Sequence, residues 1–377
     1  MKRNLAVILV MFAMTGIAFA AGPAIDLQTA SWDQIVAAAK AEGTVTFYAW
    51  YFPDYFKEAA ADFEKQYGIK ANVIIGDQTA NFNKAIAEKD MAVGTIDVMI
   101  VGGQWVKTTT DLNLFYGPIR NILPEANKMP STAWEVQEGV LIKGYLAPFH
   151  RNQTGILYDP DRVKNPPQTW DELVAWIKAN PKEFGFCDPS KGGSGQSFVH
   201  TAIAQIAGGL DKYKGDKELV PSKVENWNLV WKWFNDNKNN LTITVSNNDS
   251  IIRMNGGEIS MTVAWDDNVK DQMSKGNLFK RAKMYIPKMG LAGGGDTMGV
   301  LKNAPHKAAA LVWIAFIQSK EQQLKKFQMV GAYPARTDLT AEGTLLSEED
   351  RKNAIPWFPA PYKDYMIKEF VKNVLMK

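Results

Sequence analysis

The chain of 377 residues has one cysteine, Cys187, and three histidines, His150, His200 and His306. A single thiol excludes an intramolecular disulfide and a cysteine-based zinc cluster. The histidines stand at no metal-ligand spacing, and no H-E-x-x-H occurs. Charge of one sign is missing too: 43 Lys and Arg face 40 Asp and Glu, a formal +3. No strong field therefore recruits nucleic acid. The longest apolar run, Leu5 to Ile17, falls short of the roughly 20 residues that a bilayer span requires. Internal repeats and low-complexity segments are also absent.

What is present begins with Lys2 and Arg3, that apolar run, and then Ala18, Phe19 and Ala20. This pattern predicts a secretory signal peptide over residues 1–20, cleaved near Ala20, and a periplasmic mature chain. No cysteine follows the small residues, which argues against a lipoprotein anchor. Loss of Lys2 and Arg3 takes the charge from +3 to about +1. With 46% hydrophobic residues and 12 tryptophans, the remaining length suits two domains of roughly 100–200 residues each.

Strands and helices alternate at the start. Ser31 and Gln34 form a capping box before a helix that Gly43 stops. TVTFYAW then reads as a strand. DYFKEAAADFEKQYG places Phe56, Ala59, Ala60, Phe63 and Tyr67 on one helical face. IKANVIIG is a second strand, NFNKAIAEKDMAVG a helix, and TIDVMIVGG a strand apolar enough to be buried on both faces. This order argues for an α/β fold with parallel strands. Ligands of such sheets sit beyond the carboxyl ends of the strands, where Trp50, Tyr51, Gln104 and Trp105 fall. Further on, Thr169 caps a helix after a proline-rich loop, and GEISMTVAWDD is a strand ending at Trp265, Asp266 and Asp267. The run APHKAAALVWIAFIQSKEQQLKKFQ reads as one long amphipathic helix, and the C-terminal part is expected to pack back on the first domain.

The segment Gly139 to Phe149, with GILYDPDRV and PPQTWDEL after it, resembles the lobe-crossing region of bacterial extracellular solute-binding proteins. GEISMTVAW, GGGDTMGVLKNAPHKAAALVWIAFIQSKEQQ and VGAYPAR resemble the same family in the same order. Within it, TIDVMIVGGQWVKTTTDLNLF and DPSKGGSGQSF are similar to the iron, thiamine and polyamine branch and its YnjB-type proteins. The resemblance implies a two-lobed type II periplasmic-binding-protein fold of mixed sheets flanked by helices and joined by a hinge. It implies lobe 1 over 21–148, lobe 2 over 149–285, and a return to lobe 1 with C-terminal helices over 286–377. The crossings are expected near Ala147 to Thr154 and Met284 to Gly290. It further implies a monomer without cofactor that captures a small molecule and delivers it to an inner-membrane ABC permease with its ATPase.

The glycine-rich stretch KGGSGQS offers enzyme chemistry little. Lys191 precedes the glycines, whereas a P-loop lysine follows them. G-G-S-G-Q misses the nucleophile-elbow pattern by one position at Gln196. Ser194, Gly195 and Gln196 instead open the helix FVHTAIAQIA, where free backbone N–H groups favour an anion. Asp266 and Asp267 with Trp265 could answer a cation. Asp296 and Thr297 in GGGDT, and Tyr333 in AYPAR, complete the candidate ligand-binding set; no metal ligand is expected, and no Tyr-Tyr pair of the kind iron receptors use occurs. Thiamine or a phosphorylated relative is the leading expected ligand, with a sugar, sugar phosphate or polyamine as alternatives. A secreted enzyme on a similar scaffold is the reading of a different class.

Overall fold

The computed structural model describes residues 25–339 and 343–377. The expected signal peptide and its cleavage point lie outside the described residues. The helix Trp32–Glu42 starts on the Ser31/Gln34 capping box and stops at Gly43, whose φ of 72° is left-handed. Pro53–Tyr67 buries Tyr55, Phe56, Ala59 and Phe63. They pack on a five-stranded sheet in the order Lys70–Ile75, Thr44–Ala49, Val98–Val101, Thr297–Val300 and Ala147–Pro148. The first three strands are parallel, and the last two join antiparallel. Val98–Val101 is buried throughout, as expected of a central strand.

A second sheet runs Ala354–Ile355, Leu291–Gly294, Asn152–Tyr158, Met261–Trp265, Phe184–Cys187 and Leu241–Thr244, with Lys283–Tyr285 also paired to Asn152–Tyr158. Its helices include Trp170–Ala179, opened by a Thr169/Glu172 capping box, Gly193–Ile206 and Trp227–Asp236. Each sheet has its own core. Phe47, Phe56 and Trp313 belong to the first; Phe184, Phe198 and Trp227 belong to the second. Burying each such aromatic contributes about 2–3 kcal/mol, so the two lobes are separately stabilised.

Three expectations change. The long helix is two, Lys307–Ile317 and Lys320–Val330, because Ser319 caps the second by accepting from the Gln322 amide. The first of them is buried on all sides from Ala308 to Ile314, so it is a core helix and not an amphipathic one. The second crossing lies at Gly295 and Asp296, later than Met284 to Gly290, because Leu291–Gly294 still pairs with the second sheet. Finally, the C-terminal helix Ala360–Phe370 buries Tyr362, Met366 and Phe370 in the second core. Its apolar face matches that core, so the chain, in the first core at Ala335, is in the second by Leu346, a third crossing.

The three crossings lie side by side. The Phe149 amide donates to the Asp296 carbonyl and the Arg151 amide to the Tyr333 carbonyl, each at 3.0 Å. A Cβ on Gly295 would lie 1.6 Å from the His150 carbonyl oxygen, so only glycine permits this backbone approach. The buried Lys326 and Gln323 both donate to the Phe149 carbonyl, which fixes the pivot to the first lobe.

Candidate functional site

Register brings the site together. Thr44–Ala49 and Val98–Val101 are parallel neighbours, so Trp50, Tyr51 and Gly102 emerge at one edge of the first sheet. Thr297 pairs with both Val101 and Pro148, which places Asp296, Phe149 and His150 at that edge as well. In the second sheet Trp265 pairs with Thr154, and Gly294 with Asn152. Asp266, Asp267 and Asn152 therefore share the edge that faces the crossings.

Two carboxyls, one from each side, define the chemistry. Asp296 accepts from the Tyr51 hydroxyl at 2.6 Å and lies 3.7 Å from His150 Nε2. Burial pushes its pKa up to about 7, with the charge of Glu138 adding and the Tyr51 bond opposing. Asp267 accepts from Asn152 Nδ2 at 2.6 Å. Burial pushes it up to about 8, and the charges of Asp266 and Asp296 add to the effect. The same burial, with the field of Asp296, holds the Tyr51 phenol far above its ordinary range. His150 is driven the other way, by burial and then by the charge of Lys326, so it is neutral and no counter-ion for Asp296. Asn152 Oδ1 is buried without a partner. Among the described residues, neither carboxyl has a Lys or Arg within salt-bridge distance.

The neighbouring acid behaves differently. Asp266 is ion-paired to Arg351 at 2.8 Å and accepts from the Gln153 and Asp267 amides. Arg351 also covers the face of Tyr333, its guanidinium carbon 3.8 Å from the ring centroid, with Arg151 5.2 Å away. Tyr333 is thus buried in an arginine clamp between the crossings, bonded to Glu348.

The glycine-rich stretch has other partners. The cap of Gly193–Ile206 is Gly192, and Asn247 Oδ1 accepts from both the Ser194 amide at 3.2 Å and its hydroxyl at 2.8 Å. Gly195 packs on the second sheet, where a Cβ would meet the Cys187 carbonyl at 1.7 Å. Gln196 donates to the Pro189 carbonyl. The Ser194 and Gln196 donors are therefore met inside the protein, which weakens the phosphate reading. Trp265 lies over this helix start, its indole 2.9 Å from where a Gly193 Cβ would sit. Asn247→Ala should cost about 1–2 kcal/mol by removing this external cap, whereas Ser194→Ala should leave ligand affinity within twofold. Denaturant melts and titrations of both variants check this.

The remaining expected residues divide. Trp50 stands edge-on to Tyr51, their centroids 4.9 Å apart. Gln104 is exposed and bonded to Gln78, and Trp105 stacks on Phe82 at 4.6 Å with its indole N–H buried and unpartnered. Thr297 is inside the first sheet, donating to the Val101 carbonyl. Glu138, His150, Asn152, Arg351 and Trp357 were not anticipated. The nearest signal was polar side chains, His150 to Asn152, between two apolar runs, but their convergence is a property of register and not of spacing.

Elsewhere, two surface cavities of about 300 and 140 Å³ lie around Asn113 and Leu114 on the first lobe and include none of these residues. Among the described residues no three His, Cys, Asp or Glu side chains gather to hold a metal. His200, a possible base for Ser194, is buried with Nε2 3.0 Å from the Pro356 carbonyl oxygen, and burial pushes it down to about 3.

Known proteins of this architecture are numerous. A putative extracellular solute-binding protein of Bordetella parapertussis is 16% identical, with 89% of this chain covering 99% of it at a TM-score of 0.71. An ABC transporter protein of Clostridium perfringens is 20% identical, with 88% and 99% covered and a TM-score of 0.68. A spermidine/putrescine ABC transporter substrate-binding protein of Streptococcus pneumoniae is 16% identical, with 88% and 98% covered and a TM-score of 0.68. No curated protein matches in sequence. Residues 58–353 match the family described as bacterial extracellular solute-binding protein, a match that does not single out the YnjB-type subgroup. With the fold, the hinge of three crossings and the interlobe carboxyls in place, the chain belongs to the bacterial extracellular solute-binding proteins.

Proposed function

We propose that the protein captures a small organic cation between its lobes and delivers it to an ABC permease in the inner membrane. The observation that carries this is the Asp267–Asp296 pair. Two carboxyls reach in from opposite sides with no Lys or Arg among the described residues within salt-bridge distance, beside the unpartnered acceptor Asn152 Oδ1. Such a site asks for a donor that carries positive charge. Half-buried Trp50, Tyr51 and Trp265 supply aromatic surface for the alkyl or aromatic body of the ligand. An ammonium touching both acids stabilises the closed arrangement by its differential affinity.

The pair favours a protonated amine over a sugar, and the Asn247 contact at the helix start disfavours a phosphorylated ligand. Two proteins of the same fold are described as spermidine/putrescine transporter components. Their low identity carries the fold alone, so the ligand class here rests on the carboxyls. Transport, and not catalysis, is the activity that this arrangement supports.

Thermal melts with alkyl amines, thiamine, sugars and sugar phosphates test the reading. A cation at 100-fold its Kd should stabilise by about 2.7 kcal/mol, raising Tm by roughly 3–4 °C. A shift with a sugar phosphate and none with any cation would sink it.

A further inference from the structure

One cation does stand at the lobe boundary close to the pair. Lys363 projects from the helix Ala360–Phe370 of the second lobe, its ammonium 3.9 Å from the centroid of Trp357 and bonded to Glu138. Glu138 belongs to the first lobe, at the tip of a hairpin formed by Val136–Gln137 and Val140–Leu141, with φ at 49°. The side chains of Lys363 and Glu138 are only 13% and 9% exposed. Glu138 fills the space beside two glycines: a Cβ would lie 2.6 Å from it at Gly103 and 2.5 Å at Gly294. The Trp357 indole nitrogen, buried without a partner, is 3.5 Å from the same Gly294 position. Gly294 precedes Asp296 by two residues, and Asp296 feels the charge of Glu138. Around Lys363, Asp364 feels both Lys363 and Lys107, while Lys107 is itself paired with Asp111.

A carboxylate set against an indole face is a recognition set for an ammonium group. We infer that Lys363 is a tethered cation filling a second ammonium subsite, made by Glu138 and Trp357 beside the Asp267–Asp296 pair, and that it restricts the ligand to one ammonium group. The inference rests on the cation reading above. Its physical logic is competition. A second ligand ammonium cannot reach Glu138 while Lys363 holds it, because the tethered group has a high effective concentration. Without Lys363, Glu138 would be a buried and unanswered charge, which an incoming cation relieves.

The test is calorimetry with α,ω-diamines of three to six carbons, each against the monoamine of equal carbon number. The wild-type protein should bind diamine and monoamine within about twofold of each other, the statistical factor for two equivalent ends. Lys363→Ala should bind at least one diamine about tenfold or more tighter than its monoamine. Glu138→Gln/Lys363→Ala should return to the wild-type ratio. If Lys363→Ala does not fold, Lys363→Ser, which leaves a small polar side chain and room for water beside Glu138, carries the same expectation. An unchanged ratio in the folded single variant, or a gain that survives in the double variant, overturns the subsite while leaving the ligand class standing. Failure of every cation to bind the wild-type protein overturns both.

Discussion

Asp267→Asn is expected to weaken cation binding by about 100-fold or more while making the ligand-free protein more stable by about 1–2 kcal/mol at pH 7.5. Asparagine keeps the shape and an oxygen for Asn152 Nδ2, but it removes a carboxyl that burial and the charges of Asp266 and Asp296 hold up at about 8. Its ionised form is thus a cost that only a bound cation repays. The neighbouring substitution should have the opposite sign. Asp266→Asn leaves Arg351 without its carboxylate partner and should destabilise by about 3 kcal/mol. Denaturant melts of both variants, with titration of Asp267→Asn, provide the check. Destabilisation by Asp267→Asn with undiminished affinity would remove it from the site.

Affinity for the cation should rise with pH between about 6 and 8 and then level off, with release of about one proton on binding between pH 7 and 8 and up to about two below pH 7. Both carboxyls have pKa values raised above those of the unfolded chain, so in the free protein they keep protons until pH passes about 7 for Asp296 and about 8 for Asp267. A bound ammonium favours their ionised forms and expels the protons they hold. As pH rises, Kd should fall by up to about tenfold per pH unit between the two values and by up to about a hundredfold per unit below both. The stability these groups give the ligand-free fold follows the same sign. It is fully present below about pH 4, where the unfolded carboxyls are protonated too, and is lost progressively until pH passes 7 and 8. The groups facing Asp296 are Tyr51, His150 and Glu138; those facing Asp267 are Asp266, Asn152 and Asn268. Tyr51 stays protonated and His150 stays neutral over this range, so neither supplies the proton. Calorimetry at pH 6.5 in buffers of different ionisation heat measures the release. A flat affinity from pH 5.5 to 8.5 would rule the linkage out.

The residues that made the fold legible act locally. Ser31 with Gln34 and Thr169 with Glu172 start helices through bonds within one turn, and Gly43 and Gly68 stop them because a left-handed residue is needed there. The proposed site was half legible for the same reason. Trp50, Tyr51 and Asp267 follow strand ends, and a strand end is visible in an apolar run. Ser194 misled because a serine after glycines at a helix start reads as a free donor. Its partner Asn247 is 53 residues away, and no spacing announces it.

Sequence by itself determined the order of elements and the two-lobed class, since both follow from residue type and short-range periodicity. Tertiary structure alone decided where the second crossing falls, which lobe takes the C-terminal helix, and which acids stay without a cation. Those outcomes depend on strand register and on burial. Asp266 and Asp267 are chemically identical neighbours, yet one meets Arg351 across 85 residues and the other meets Asn152. That difference in surroundings ties one to Arg351 at the crossings and leaves the other without a basic partner among the described residues, which is why the ligand is proposed to meet Asp267.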